Sequence, residues 1–137
     1  MPVLADLKHL ADREAIRELT ARYARFVAHG DGRGVGSLYS EDGRFAAGIH
    51  DYQGRAAIQE FLAGVTKPLK NIPLVTDHVI EIDGDEATCA CIMYTPWYRD
   101  VQPGFCGEYN DKLRKVDGEW YFVERSFEFF KGKPDDS

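Results

Sequence analysis

The sequence predicts an α+β fold: a strongly curved antiparallel sheet wrapped around N-terminal helices, in the order α-α-β-α-β-β-β-β. Three observations carry this. Residues 12–29 repeat apolar side chains at helical spacing, with Ile16, Leu19, Tyr23, Phe26 and Val27 on one stripe. After Asn71 the spacing changes to alternation, in "LVTDHVIEI", "EATCACIMYTPW", "GEYNDKLRKV" and "EWYFVERSFEFF". Asp83-Gly84 and Asp117-Gly118 then punctuate those runs as tight hairpins. Helices first and long hairpins afterwards place the helices together on one face of the sheet.

In the first helix Asp12 reads as the N-cap, and Gly30 stands where a helix C-terminus takes a left-handed residue. His29, in the last turn, suits the negative end of the helix dipole. Asp31 caps a short second helix carrying Val35, Leu38 and Tyr39, which Gly32, Gly34 and Gly36 make intrinsically poor. A short strand over Phe45–Ile49 precedes a third helix from Arg55 to Val65, with Ile58, Phe61, Leu62 and Val65 on one face and Pro68 beyond its end.

Bulk properties bound the function. The 137 residues form one domain over 1–131, and "GKPDDS" supplies a disordered tail at 132–137. A net charge of -6, without clustered Lys and Arg, argues against nucleic acid and anionic membrane as partners. No apolar run reaches membrane-spanning length, and the N-terminus lacks a signal-peptide core. Cys89 and Cys91 share one face of a strand and are poorly placed to bridge, which fits a reduced, cytoplasmic protein. Four histidines and three cysteines show no zinc spacing, so no metal or other cofactor is expected.

Alternation assigns the inward side chains. Glu108, Asn110, Lys112 and Arg114 take the solvent face, so Tyr109, Asp111 and Leu113 point to the covered one. In the last strand Trp120 and Phe122 are out of phase with Phe127 and Phe129; one extra residue, a β-bulge, brings all four to one face. That bulge also turns Arg125 inward beside Asp111, where an unbulged strand would set Glu124 opposite the carboxylate. The pair reads as structural or catalytic. By parity His78 shares the face of Ile80 and Ile82, as a pocket base or a packed histidine, and Tyr23 is core or pocket lining. "YTPWYRDVQPGF", with Tyr94 and Trp97, suits a lid over an apolar ligand or an oligomer contact.

The segments "DREAIRELTARYA", "D…LYSEDGRF", "YQGRAAIQEFL", "VIEIDGDEAT" and "GEYNDKLRKVDGEWYFVER", in this order, resemble the SnoaL-like branch of the nuclear transport factor 2-like superfamily. The resemblance implies a cone with an apolar pocket at one end, taking an apolar cyclic small molecule, and a homo-oligomer, dimer or trimer. It also implies chemistry that this chain has altered. Members similar to scytalone dehydratase carry D-x-x-D at the first helix junction; here Asp31 holds the second position and Ala28 the first. Their first histidine, seven residues before Ile80, is Pro73; their second falls near Trp97, and a pocket tyrosine near Ala47. With that set missing, the expectation is a binding protein whose pocket is lined by Val27, Ala28, Ala47, Pro73, Tyr94, Trp97, Tyr109, Arg125 and Phe127. The alternative is a lyase or isomerase, dehydratase-like or ketosteroid-isomerase-like, using a non-standard acid–base set of Tyr23, Asp111 and His78.

Overall fold

A computed structural model describes residues 2–69, 71–96 and 104–133. The elements run α1 (Pro2–Ala28), α2 (Gly32–Ser37), β1 (Tyr39–Ala47), β2 (His50–Gln53), α3 (Arg55–Leu69), β3 (Leu74–Asp83), β4 (Glu86–Thr95), β5 (Phe105–Val116) and β6 (Glu119–Lys131). Among the described residues the strands form one open, six-stranded sheet in the order β2-β1-β6-β5-β4-β3.

The sheet is mixed rather than wholly antiparallel, because β1 lies parallel to β6. A parallel neighbour needs a long crossover instead of a hairpin, and here the rest of the chain separates the two strands. The order also gains β2, four residues between Gly48 and Gly54, both at positive φ. So short a strand carries too little alternation to stand out in the sequence. Arg44 of β1 ties this edge together, with Nε and Nη2 on Asp51 at 2.9 and 2.7 Å and Nη1 on Glu124 at 2.8 Å.

Helix α1 begins at Pro2, ten residues before the expected cap. Its early turns expose Val3, Leu4, Leu7 and Leu10, so no buried stripe marks them in the sequence. Asp12 sits inside the helix, where its carboxylate accepts from Trp120 Nε1 at 3.1 Å and from Lys115 Nζ at 3.0 Å. Burial alone would raise its pKa, but these two donors outweigh that and leave it lowered. From there α1 reaches the sheet at widely separated points. Arg13 Nη1 donates to the Ile80 carbonyl on edge strand β3, and the Tyr23 ring meets Phe122 of β6 at 5.6 Å. With β4 and β5 between those strands, a helix ~10 Å across touches both because the sheet curls around it.

The junction after α1 explains the alternate glycines. Asp31 N donates to the Phe26 carbonyl and Gly30 N to that of Val27, the paired bonds of a Schellman ending, with Gly30 at φ +70°. Asp31 then caps α2 as expected, accepting from Gly34 N at 2.8 Å. Gly34 and Gly36 serve close packing. A Cβ on Gly34 would meet the Phe26 ring at 2.7 Å, and one on Gly36 would run into Gln59 Cγ. Tyr39 opens β1 instead of continuing this helix. Helix α3 continues past Val65 to Leu69, taking Pro68 into its last turn, where the missing N–H sacrifices a single helical bond.

Two bulges keep the inner face continuous. In β6, Leu113 faces Phe122 while Lys112 faces Glu124, so Val123 is the extra residue. Trp120, Phe122, Arg125 and Phe127 consequently all lie buried. In β3 the register shifts between Thr76 and Val79, with Asp77 at φ +57°, and the inner face then takes Val75 and His78 together.

The Asp12 contact joins the helix to the far hairpin, so Asp12→Ala should leave Trp120 Nε1 unpaired and destabilise the protein by about 1–3 kcal/mol in urea unfolding. A change within error would show that the tie holds nothing.

Candidate functional site

The inner face of β4, β5 and β6 brings charged groups into an apolar interior. Cys89 faces Asp111 across β4–β5, and Asp111 faces Arg125 across β5–β6. Arg125 is completely buried and Asp111 is 3% exposed. Arg125 Nε donates to Asp111 Oδ1 at 2.9 Å, and Arg125 Nη2 lies 3.7 Å from Cys91 Sγ. Aromatic faces surround the guanidinium, whose central carbon lies 3.5 Å from the Tyr109 ring centre, 4.3 Å from Tyr23 and 4.6 Å from Phe122.

The pair is monodentate. Asp111 Oδ2 and Arg125 Nη1 are buried and have no hydrogen-bond partner among the described residues. Burial pushes the Asp111 carboxyl up to about 6, against the opposing pull of Arg125. Burial acts the other way on Arg125, but Asp111 and the neighbouring phenol and thiol groups prevail and hold it protonated. The Tyr23, Tyr39 and Tyr109 phenols are all raised, first by burial, so they remain protonated donors at neutral pH.

Outward from the pair the lining becomes apolar and progressively less buried. Cys91, Met93, Tyr109 and Phe127 form a buried cluster, with half-buried Ala47, Val75, Phe105 and Phe129 packed around it. Phe127 is the hub: its ring centre lies 5.0 Å from Tyr109, 4.9 Å from Phe129 and 5.8 Å from Phe105. Gly107, paired with Phe129 and diagonal to Phe127, has no side chain, and a Cβ there would meet the Phe127 ring at 2.5 Å.

The other expected site residues lie apart from this centre or play different parts. Tyr23 reaches it through its ring, while its hydroxyl is 3.0 Å from Tyr39 Oη. His78 Nε2 is 2.8 Å from Thr20 Oγ1, which itself donates to the Arg17 carbonyl. The threonine has one proton and spends it on Arg17, so His78 Nε2 donates and the ring ties β3 to α1. Burial, with Arg17 and Arg125, lowers the His78 pKa and keeps the ring neutral at pH 7. Val27 is half-buried at the end of α1, and Ala28 is exposed beside it. Ala47 borders Phe127 across β1–β6, and half-buried Pro73 precedes β3. Tyr94 is 46% exposed, on the face of β4 opposite Met93 and Thr95, so it points away from the cluster. Trp97 lies outside the described residues. Sequence reasoning missed Cys91 and Met93 as inner-face neighbours, although the buried–exposed alternation of Cys89, Cys91 and Met93 carried the signal. No described helix is long and apolar enough to cross a membrane, and no cluster of three or more His, Cys, Asp or Glu suited to a metal occurs among the described residues.

A family model described as a SnoaL-like domain matches residues 8–126. The chain belongs to that family. Solved structures place this SnoaL-like chain in the NTF2-like, cystatin-like fold. A protein of unknown function from Mycobacterium tuberculosis, Rv3472, is 28% identical, with 90% of this chain covering 75% of that one at a TM-score of 0.80. An NTF2-like protein with a cystatin-like fold from Novosphingobium aromaticivorans is 26% identical over 96% of this chain and 90% of its own, TM-score 0.82. A hexachlorocyclohexane dehydrochlorinase, LinA type 2, is 20% identical over 94% and 92%, TM-score 0.80, a likeness of fold alone. No curated protein matches the chain.

Arg125 cannot shed its proton whereas Asp111 can gain one, so the two partners should respond unequally to removal. Asp111→Leu is expected to cost about 3–5 kcal/mol, Arg125→Met less, and the double variant to regain most of the loss. Additive costs in denaturant melts would refute the coupling. The raised Asp111 value also fixes a sign. Between pH 7 and pH 5 the folded protein takes up a proton that the unfolded chain, titrating near 3.8, does not. Stability of the native protein relative to Asp111→Asn should therefore grow as pH falls through 6, and a difference that shrinks would mean Arg125 dominates.

Proposed function

We propose that this SnoaL-like protein binds a small, largely apolar ring compound against Tyr109, Met93 and Phe127, with the Asp111–Arg125 pair at the inner end of the site. The gradient of the lining supports this reading. Half-buried Ala47, Val75, Phe105 and Phe129 lead to a buried aromatic cluster, and that cluster adjoins a buried ion pair through Tyr109 and Cys91. Apolar walls with a few fixed polar groups are what small-molecule sites are made of.

A second reading, a lyase or isomerase, draws on one observation: the Asp111 carboxyl is raised to about 6, close to where an acid–base group works best. Tyr23 and His78 add less to it, since Tyr39 engages the Tyr23 hydroxyl and Thr20 engages His78 Nε2. Turnover of any compound found to bind, lost in Asp111→Asn, would favour the enzyme; binding without turnover favours the first reading.

Thermal shift and calorimetry against indane and its monosubstituted derivatives test the proposal. A compound at one hundred times its Kd should stabilise the protein by about 2.7 kcal/mol. Phe127→Ala should weaken binding at least tenfold, while Phe130→Ala, on an exposed ring, should leave it unchanged. Equal effects from both substitutions, or no stabilisation by any ring compound, would refute the assignment.

A further inference from the structure

Among the described residues three buried side-chain polar atoms have no hydrogen-bond partner: Asn71 Oδ1 and two atoms of the ion pair. Asp111 Oδ2 is a carboxylate acceptor and Arg125 Nη1 a cationic donor, and both are buried without a hydrogen-bond partner among the described residues. Their residues are 3% and 0% exposed, so bulk water does not solvate them. A buried unpaired polar atom is costly, more so when it is charged, and such atoms normally meet a partner. The pair itself does not supply one. A side-on fork would have brought a second guanidinium nitrogen onto Oδ2, but Nη2 is turned to Cys91 Sγ at 3.7 Å instead. The nearby phenols do not meet the need: the Tyr23 and Tyr39 hydroxyls face each other at 3.0 Å, and the weak pull of Arg125 on the Tyr23 phenol leaves Nη1 without a hydrogen bond.

The identity of the two atoms restricts what can answer them. Oδ2 requires a hydrogen donated to it, and Nη1 requires a lone pair. An anionic ligand would supply only lone pairs and would meet the Asp111 charge. A cationic one would supply only hydrogens and would meet Arg125. A ketone or an ether accepts from Nη1 and leaves Oδ2 unpaired. Among the ring substituents compared, a hydroxyl alone both donates and accepts through one atom, as a buried water does, and it is neutral like the pair as a whole.

Resting on the binding function proposed above, we infer that the ligand is a hydroxylated ring, an alcohol or phenol, whose hydroxyl is received by Asp111 and Arg125 while its apolar body lies against Tyr109 and Phe127. The pair is then the specificity-determining element of the site. Sites built to bond a hydroxyl reject analogues lacking it far more strongly than apolar pockets reject a change of size, because the protein atoms are left unpaired.

The test uses the full chain and four probes of one shape: indane, 5-indanol, 5-methoxyindane and indane-5-carboxylate, titrated by calorimetry at pH 7.5. 5-Indanol should bind at least tenfold tighter than both indane and 5-methoxyindane, and the carboxylate weakest of the four. Asp111→Asn, whose amide donates as well as accepts, should narrow the gap between 5-indanol and 5-methoxyindane to about threefold or less. If that variant does not fold, the methyl ether carries the same question in the native protein, since it keeps the oxygen and removes only the hydrogen offered to Oδ2. Equal affinity for 5-indanol, 5-methoxyindane and indane would overturn the inference and leave the binding function standing. Tightest binding of the carboxylate would overturn it in favour of Arg125 acting alone. Failure of all four to bind would remove the binding function and the inference together.

Discussion

The interior of this protein is organised around one costly contact, a carboxylate and a guanidinium removed from water together. Neither Asp111 nor Arg125 tolerates such burial alone, and their meeting depends on strand register rather than on chain proximity. The aromatic rings ease part of the remaining electrostatic cost on the guanidinium. Tyr109, Tyr23 and Phe122 present their π faces to the guanidinium, so the cation is stabilised without further counter-charge. Helix α1 contributes Tyr23, which makes the curl of the sheet and the electrostatics of its centre mutually dependent.

This arrangement divides the interior into two regions. Under α1 and α3 the core is closed, filled by Ile16, Leu19, Val35, Ile58 and Phe122. Beyond the ion pair the smaller cluster of Cys91, Met93, Tyr109 and Phe127 is bordered by half-buried side chains from four strands. In the binding function proposed above, fold stability and ligand recognition draw on the same two charged residues from opposite sides.

Much of the frame was legible because it rests on local rules. The period of α1, the cap at Asp31, the left-handed Gly30 and the Asp117-Gly118 turn each follow from the physics of a few adjacent residues. The inward Asp111 and Arg125 were legible for a subtler reason: like charges opposite one another and two aromatic pairs out of phase both demanded one extra residue. What escaped the sequence depends on partners distant in the chain. Strand β2 is too short for a pattern, the parallel seating of β1 on β6 leaves no periodic trace, and the early turns of α1 bury nothing. Asp12 illustrates the confusion: the residue type that caps helices is here a mid-helix acceptor for Trp120. At the site, Tyr94 was assigned by its aromatic surroundings, but parity along β4 turns it outward.

Val123, the extra residue of β6 between Phe122 and Glu124, links these matters. It touches neither charge, yet it sets which way each residue after it points, so the guanidinium and the Phe127 ring share a single determinant of orientation. The buried cation and its adjacent greasy wall are thus inherited as one unit: a lineage of such chains that loses the kink loses both features in one event, and substitutions at either alone leave the other in place.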